Sequence, residues 1–307
     1  METIGIVGTG FVGTALLEGM RHAFRIETYD NVKPSTCRDM TELVELCPVI
    51  FVCVPTPMKP SGQSSTAIVE EVCGELAGIV SNCSNGDGSP IRDHLTVVIK
   101  STVPPGTTNR LQEQLGHGPA LGPLAAPGWR QCIDFVFNPE FLTEANFIDD
   151  FKNQDRIILG GENQGMQRVS ELYSIAYPDV QQEFLHSTEA EMVKYITNIF
   201  LATKVALANE LYQVCERLGI SFRNACEAAQ LDRRLGTSHW NVPGPDGSFG
   251  FGLSCFPKDL NALMHMAREH GINPRIMQAV WDKNLEVRPE MDRDWERMTK
   301  AVTVVRE

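Results

Sequence analysis

Short runs of β-branched and aromatic residues recur through the first half of the chain, each separated from the next by a longer segment. They are TIGIV (3–7), RIETY (25–29), VIFVCV (49–54), TVVIK (96–100), DFVF (134–137) and RIIL (156–159). Strands that alternate with helical segments are typical of a parallel sheet with helices on both faces. We therefore expect an α/β fold whose N-terminal part is a Rossmann-type, doubly wound parallel sheet.

The pattern changes at Thr188, where Thr188-Glu-Ala-Glu191 has the form of a helix capping box. The helical pattern that follows continues to Gly219, which corresponds to a helix of about 45 Å. Such a helix, apolar around much of its circumference, suits the spine of a helical domain and a contact between two copies of the chain. We predict one domain over 1–186 and an α-helical domain over 187–307.

Composition excludes several classes of partner. The chain has 39 acidic and 27 basic residues, a formal charge of -12, which argues against a nucleic acid or an anionic membrane surface. No apolar run approaches the roughly 18 residues that span a bilayer, and the first residues lack a secretory signal, so we expect a cytoplasmic protein. The nine cysteines include no CxxC pair, which argues against a disulfide framework and a metal site.

The glycine motif Gly8-Thr-Gly10-Phe11-Val12-Gly13 follows the first predicted strand and opens a helix. In that position glycines let the backbone approach the pyrophosphate of a dinucleotide. The second strand ends at Asp30, where a carboxylate can bind the ribose 2′-hydroxyl, and this favours NAD over NADP. Lys33 is a further candidate for contact with the cofactor, the alternative being a solvated side chain.

Two more candidate cofactor contacts follow strands. Val54, Pro55 and Thr56 come after the third run, and Thr102 comes after the fourth. Ligands of open α/β sheets bind at the carboxyl ends of the strands, so these residues are placed to contact the cofactor. Ordinary turn chemistry is the alternative for each motif alone.

One cysteine stands in an unusual setting. In GFGLSCFPKDL (250–260), Cys255 follows a glycine-rich turn and directly precedes Pro-Lys-Asp. A structural cysteine usually lies among aliphatic residues and is inert. Cys255 is therefore a candidate nucleophile, and Lys258 together with the N–H groups of the turn would lower the pKa of its thiol.

In chain order, several motifs resemble those of the UDP-glucose/GDP-mannose dehydrogenase family. They are GTGFVG, VCVPTP, KSTVPPGTT, NPEFLTEANFIDDF, DRIILGG, EMVKYITNIFLATKVALANEL and FGLSCFPKDL. The resemblance covers nearly the whole chain. It implies oxidation of the C6 alcohol of a sugar nucleotide to a carboxylate, with two NAD and a covalent thioester on Cys255.

The resemblance also implies roles for residues around that cysteine. Lys194 and Asn198 are four residues apart, hence on one helix face, and would stabilise the developing oxyanion. Asp259 would order a water against Lys194, and Glu140 would help water attack the thioester. The alternative role for Glu140 and Glu144 is that of acids at the start of a helix, where a negative charge interacts favourably with the helix dipole.

Further contacts are implied by the same motifs. Thr102 would hold the attacking water or the cofactor, while Glu144 and Lys258 would lie near the cofactor. The implied substrate-binding residues are Glu140, Phe141, Leu142, Lys194, Asn198, Ser248, Phe249, Gly252 and Arg234. Arg234 resembles a family arginine that reaches the site of a neighbouring subunit, which agrees with a homodimer formed through the long helix.

The chain departs from the family pattern in two respects. Members usually continue into a C-terminal nucleotide-binding domain, so we expect a short form that lacks it. Leu253 stands where the family usually has a second glycine, and leucine disfavours positive φ, so the turn must differ or carry strain.

Two other functions are compatible with parts of the sequence. A one-step NAD-dependent hydroxyacid dehydrogenase of the 6-phosphogluconate type would share the cofactor domain but need no cysteine. A non-catalytic nucleotide-binding protein would need the glycine loop alone. Presence of the whole set favours the sugar-nucleotide enzyme, the set being Cys255, Lys194, Asn198, Asp259, Glu140 and Thr102.

Overall fold

The computed structural model describes residues 1–82, 91–119, 129–162 and 164–296. It divides into two compact units, the first made of Met1–Thr56 and Thr66–Lys194, the second of Pro57–Ser65 and Tyr195–Glu307. The segments at 81–94 and 116–129 are rich in Gly, Pro, Ser and Asn, a composition that predicts surface loops. Most of these residues fall outside the described ranges, and in the second segment His117–Pro119 forms a short strand instead.

A seven-stranded sheet organises the first unit, in the order β2-β1-β3-β4-β7-β8-β9, and a separate hairpin pairs β5 with β6. The strands are β1 (Thr3–Val7), β2 (Arg25–Tyr29), β3 (Val49–Val52), β4 (Leu95–Ile99), β5 (His117–Pro119), β6 (Trp129–Gln131), β7 (Ile133–Phe137), β8 (Arg156–Gly160) and β9 (Gln181–Leu185). All pairings in the large sheet are parallel except that of β7 with β8. The predicted α/β class and doubly wound sheet are confirmed.

Helices cover both faces of this sheet and continue into the second unit. They are α1 (Phe11–Met20), α2 (Met40–Leu46), α3 (Ala67–Asn82), α4 (Thr107–Leu115), α5 (Phe147–Lys152), α6 (Gln164–Ala176), α7 (Ser187–Leu218), α8 (Phe222–Ala229), α9 (Cys255–Glu269) and α10 (Arg275–Val287). Strands β3, β4 and β7 are buried along their whole length, as is usual for parallel strands covered on both faces.

All six strands predicted from the sequence are present, within two residues at each end. Strand β9 was not predicted because its sequence, QQEFL, is mostly polar and exposed at the sheet edge. Beyond it, α7 contributes its first two turns to the first unit and the rest to the second. In the described part of the chain, no helix combines the length and apolarity needed to cross a bilayer.

The predicted capping role of Glu191 at the start of α7 is wrong. Its buried carboxylate instead accepts hydrogen bonds from Gly106 N (2.5 Å), Thr108 N (2.8 Å) and Thr108 Oγ1 (2.7 Å), and so caps α4. The acid that accepts from the backbone at the start of α7 is Glu189, which binds His186 N at 3.2 Å. Local spacing alone does not distinguish these two partners.

The second unit has its own apolar core, formed where α7, α9 and α10 meet the turn before α9. Its buried members are Ala202, Ala206, Phe251, Leu260, Met264 and Val280. Two single turns of 3₁₀-helix follow α10, Glu290–Asp292 and Asp294–Glu296.

The environment of Glu191 predicts a pH-dependent stability. Burial raises its pKa to about 7, against hydrogen bonds from Thr108 and Gly106 that lower it, whereas its unfolded value is 4.5. The folded chain therefore keeps this proton to a higher pH, so the stabilising contribution is complete below pH 4.5 and is lost as pH rises towards 7. The free energy of unfolding of wild type, minus that of Glu191→Gln, should therefore fall by up to about 3 kcal/mol between pH 4.5 and pH 7.

Urea unfolding at pH 5.0, 6.0 and 7.5 measures this difference. Glu189→Gln is the matched control, since Glu189 is an exposed carboxylate on the same turn. If the difference in the free energy of unfolding between wild type and Glu191→Gln stays constant with pH, the raised pKa of Glu191 is contradicted.

Candidate active site

The turn between β1 and α1 is shaped by close backbone contact. A Cβ at Gly13 would lie 1.9 Å from Gly8 O, so only glycine lets the start of α1 approach the end of β1 this closely. A Cβ at Gly10 would meet no atom within 4 Å, which leaves open space beside the first turn of the helix. Phe11 is partly exposed and packs edge-on against Phe147, with ring centroids 5.2 Å apart.

Asp30 lies just past β2 and faces this turn. Its Oδ2 accepts from Thr9 N (2.7 Å) and Thr9 Oγ1 (3.0 Å), and its Oδ1 accepts from Val32 N (2.9 Å) and Lys33 N (3.0 Å). Burial raises the pKa of Asp30, but these hydrogen bonds outweigh it and bring the value down to about 2. An ionised acceptor beside an open glycine turn fits the ribose and pyrophosphate of a dinucleotide.

Lys33, Val54, Pro55, Thr56 and Thr102, which are also predicted to contact the cofactor, follow the carboxyl ends of strands β2, β3 and β4. Lys33 Nζ donates to Thr9 O at 2.5 Å, so it closes the turn from the side of Asp30. The segment with Val54, Pro55 and Thr56 follows β3, and Ser101 Oγ, just past β4, donates to Val54 O at 2.7 Å. This contact joins the ends of the two strands, next to Thr102.

Glu140 and Lys194 form a buried ion pair in the first unit. Lys194 Nζ lies 2.8 Å from Glu140 Oε1 and donates to Glu140 O at 2.6 Å, while Glu140 Oε2 accepts from Leu142 N at 2.7 Å. Burial raises the pKa of Glu140, but the charge and hydrogen bond of Lys194 outweigh it, so the net shift is downward. Glu140 is therefore an ionised acceptor at neutral pH.

Two cations lie over the ring of Phe141. Its ring centroid is 5.6 Å from Lys194 Nζ and 4.3 Å from Arg156 Cζ. Contacts of this kind fix an aromatic ring through its negative face. The loop that carries Glu140, Phe141 and Leu142 is thus held by α7 and by the start of β8.

A buried network under this loop was not predicted from the sequence. Lys100 Nζ donates to Asn138 Oδ1 (2.9 Å), which also accepts from Tyr173 Oη (2.6 Å), while Asn138 Nδ2 donates to Ile158 O (2.8 Å). Burial lowers the pKa of Lys100 to about 8. The available signal was a lysine and an asparagine ending two otherwise apolar strands, TVVIK and DFVFN.

The second unit places Cys255 at the first residue of α9, directly after Ser254. Cys255 is partly exposed, whereas Cys53 and Cys73 are buried and burial raises the pKa of each to about 12. No disulfide joins any cysteines in the described ranges. The thiol predicted to be the nucleophile thus has access to solvent that the core thiols lack.

Asn198, Lys258 and Asp259 form a buried cluster in the same unit. Asn198 Nδ2 donates to Asp259 Oδ2 at 2.6 Å, and the Lys258 ammonium forms an ion pair with the other carboxylate oxygen. The positive charge predicted to act on the thiol is therefore bound to Asp259. Lys194 and Asn198 are one turn apart on α7 but have different carboxylate partners.

Besides Asn198, the predicted substrate-binding residues of the second unit lie in two segments, around Arg234 and in the turn at 248–252. Phe249 is partly exposed, with its ring centroid 5.6 Å from that of Tyr212, and Ser248 Oγ lies 3.3 Å from Asp292 Oδ2. Arg234 is exposed and its guanidinium is bound to Asp232, with Nε at 3.0 Å from Oδ1. In the first unit, Glu144 is half-buried.

The turn before Cys255 has the strained backbone that its sequence predicts. Leu253 has a φ of 60°, in the left-handed region. Its N–H donates to Asp294 Oδ1 at 2.9 Å and Oδ2 at 3.1 Å. In the described part of the chain, no group of three or more His, Cys, Asp or Glu side chains is arranged to hold a metal ion.

The chain is similar to known UDP-glucose dehydrogenases in sequence and in fold. The chain is 33% identical over 244 residues to the UDP-glucose 6-dehydrogenase of Rickettsia bellii, which covers 79% of this chain and 50% of that protein. The UDP-glucose dehydrogenase of Pyrobaculum islandicum superimposes with a TM-score of 0.77 at 28% identity, over 92% of this chain and 68% of that one. The chain spans about half the length of the curated relatives it matches.

A more distant solved structure shares the fold alone. The 3-hydroxyisobutyrate dehydrogenase of Mycobacterium tuberculosis has a TM-score of 0.67 at 15% identity and covers 92% of both chains. At that identity the likeness carries no information on the reaction.

Family models match most of the chain in two blocks. Residues 27–177 match the NAD binding domain of the UDP-glucose/GDP-mannose dehydrogenase family, and residues 188–286 match its central domain. The first block contains Asp30 and the Glu140 loop, and it identifies NAD as the cofactor. The second contains Cys255 and the buried cluster of Asn198, Lys258 and Asp259. With both domains matched in order, the chain belongs to the UDP-glucose/GDP-mannose dehydrogenase family.

Proposed function

We propose that this chain carries out the NAD-dependent oxidation of the C6 alcohol of a sugar nucleotide to the carboxylate, through a thioester on Cys255. The observation that carries the proposal is the position of Cys255 as a partly exposed first residue of α9, three residues before the buried Lys258–Asp259 pair. A module that only binds nucleotides needs no such thiol. The names of its relatives support a UDP-sugar as the substrate.

The proposed reaction has four steps, all at C6 of the sugar. The first oxidation removes a hydride from C6 and a proton from its hydroxyl, which gives the aldehyde. Cys255 Sγ then bonds to that carbon, with the oxygen taking a proton, to form a thiohemiacetal. The second oxidation removes another hydride and proton to give the thioester, and water finally breaks the C–S bond to release the acid and the thiol. When bound, NAD would supply the hydride acceptor for each of the two oxidations.

Several of the predicted site residues suit particular steps of this reaction. Glu140 is ionised and accepts hydrogen bonds, so it suits the removal of a proton from the water that attacks the thioester. The Lys194 ammonium and the Asn198 amide suit the stabilisation of negative charge on the C6 oxygen, a contribution worth several kcal/mol in a dry site. Thr102 suits positioning of the water or the cofactor.

A homodimer is part of the proposal because of one exposed face of α7. Its large apolar side chains are 40% to 74% exposed and lie within an arc of about 60°, at 100° per residue. They are Ile196, Phe200, Leu207, Leu211, Val214 and Leu218. A contiguous apolar stripe of this length marks an interface rather than a solvated surface.

The first test concerns the cofactor. The ionised Asp30 should repel the 2′-phosphate of NADP, so we expect wild type to bind NAD at least about tenfold more tightly, equivalent to about 1.4 kcal/mol. Asp30→Asn, which keeps acceptor capacity but removes the charge, should narrow this gap. Calorimetric titration of both cofactors measures it, and tighter binding of NADP by wild type would contradict the role of Asp30.

The second test counts NADH per sugar consumed, first with UDP-glucose and then with GDP-mannose. Wild type should form two NADH per sugar, while Cys255→Ser should release no acid, because a serine hydroxyl is a far poorer nucleophile near neutral pH. NAD binding should be unchanged in this variant. Cys215→Ser, which removes another partly exposed thiol, is the control and should behave as wild type.

Each other outcome of this count favours a different function. One NADH per substrate in both wild type and Cys255→Ser would favour a one-step dehydrogenase. A wild type that binds NAD but oxidises no sugar nucleotide would favour a nucleotide-binding protein.

The third test concerns the dimer. Phe200→Glu places a charge at the most exposed side chain of the apolar stripe and should convert the protein to a monomer at micromolar concentration in analytical ultracentrifugation. Ile175→Glu on α6 is the matched control, since Ile175 is 59% exposed but lies outside the stripe. A fully active wild-type monomer at this concentration would rule out the proposed interface.

A further inference from the structure

Side chains from other segments bind the backbone of the turn that precedes Cys255. Asn209 Oδ1 accepts from Gly250 N at 3.0 Å, Asn284 exchanges two hydrogen bonds with the Phe251 backbone at 2.7 and 3.0 Å, and Asp294 accepts from Leu253 N. Polar groups of the turn are thus satisfied by α7, α10 and the segment after α10. These side chains hold the turn from outside.

Leu253 is the residue for which this support matters most. A left-handed conformation costs a residue with a Cβ an amount equivalent to roughly a five- to thirtyfold shift in a conformational equilibrium. Glycine has almost no such cost. With a φ of 60°, Leu253 keeps this conformation only because its surroundings favour it.

Arg288 lies beside the Asp294 carboxylate, which accepts from Leu253 N. Its side chain is buried, donates from Nε to Asp292 O at 2.8 Å, and forms an ion pair with Asp246 at 2.7 Å. Its Nη2 is also 3.9 Å from Asp294 Oδ1. The guanidinium passes so close to the turn that a Cβ at Gly252 would lie 2.2 Å from Nη2.

We propose that Asp294, whose carboxylate lies beside Arg288, is a positioning residue. It holds Leu253 in the left-handed conformation and so fixes the backbone of the turn that positions Cys255. Asp294 lies beyond residue 286, where the match to the family's central domain ends. Its hydrogen bond stabilises at Leu253 a conformation that a glycine at position 253 would adopt at almost no cost. The importance of the turn for turnover rests on the function proposed above for Cys255.

A double-mutant cycle tests this role. The variants are Asp294→Ala, Leu253→Gly and the combination, with Asp294→Asn as the conservative variant that keeps an acceptor oxygen. Hydrogen exchange of a peptide that spans residues 250–255 is measured by mass spectrometry, together with kcat and KM for NADH formation. Glu290→Ala is the matched control, since its carboxylate is 89% exposed in the same segment.

We expect Asp294→Ala to speed exchange at the turn about tenfold when residue 253 is leucine, but at most about threefold when it is glycine. kcat should follow the same pattern with little change in KM, and Asp294→Asn should stay near wild type. Glu290→Ala should have no effect on exchange.

Equal effects of Asp294→Ala in the two backgrounds, or no effect in either, would overturn the proposal. Exchange requires neither NAD nor a sugar nucleotide, so the cycle gives its answer even if wild type proves inactive. An inactive wild type with the expected exchange pattern would therefore count against the proposed reaction and not against the positioning role of Asp294. Thermal unfolding of each variant identifies any that fail to fold. If Asp294→Ala is among them, Asp294→Leu, which keeps a side chain of similar size but has no acceptor oxygen, serves in its place.

Discussion

The buried ion pair between Lys194 and Glu140 ties the first turns of α7 to the carboxyl end of the sheet. Burying two charges is costly, and loss of one partner would leave the other uncompensated, at a cost of about 3–5 kcal/mol. The pair is retained together with hydrogen bonds to the Glu140 carbonyl and from Leu142 N. The loop at 140–142 therefore has one well-defined position, and every role assigned to it depends on this pair.

The same loop is supported from below by polar groups that never reach solvent. Lys100, Asn138 and Tyr173 connect β4, the end of β7 and α6 through hydrogen bonds of 2.6–2.9 Å. A buried network of this kind rigidifies its surroundings when its members are satisfied. The first unit thus joins an apolar sheet, which is stabilised by burial, to a polar edge whose geometry is fixed by specific partners.

Local patterns in the sequence were sufficient for the sheet but not for the partners of charged groups. Buried parallel strands leave a strong local signal, so β1 to β4, β7 and β8 were predicted, while the polar edge strand β9 was not. Glu191 was assigned to its own helix because the capping box is local, yet its partners lie 83 to 85 residues away. The strain at Leu253 was predicted from a glycine position. Its support by Asp294, 41 residues on, depends on tertiary structure that no spacing reveals.

The contrast between core and surface thiols makes this protein suitable for selective chemical labelling. Burial raises the pKa of Cys47, Cys53 and Cys73 to about 12, so at neutral pH these groups are overwhelmingly protonated and shielded from reagents. Cys215 and Cys255 are the partly exposed cysteines of the described residues. With Cys215 replaced by serine, and also Cys83, which lies outside the described residues, a maleimide fluorophore would report on the surroundings of position 255 with little background from these core thiols.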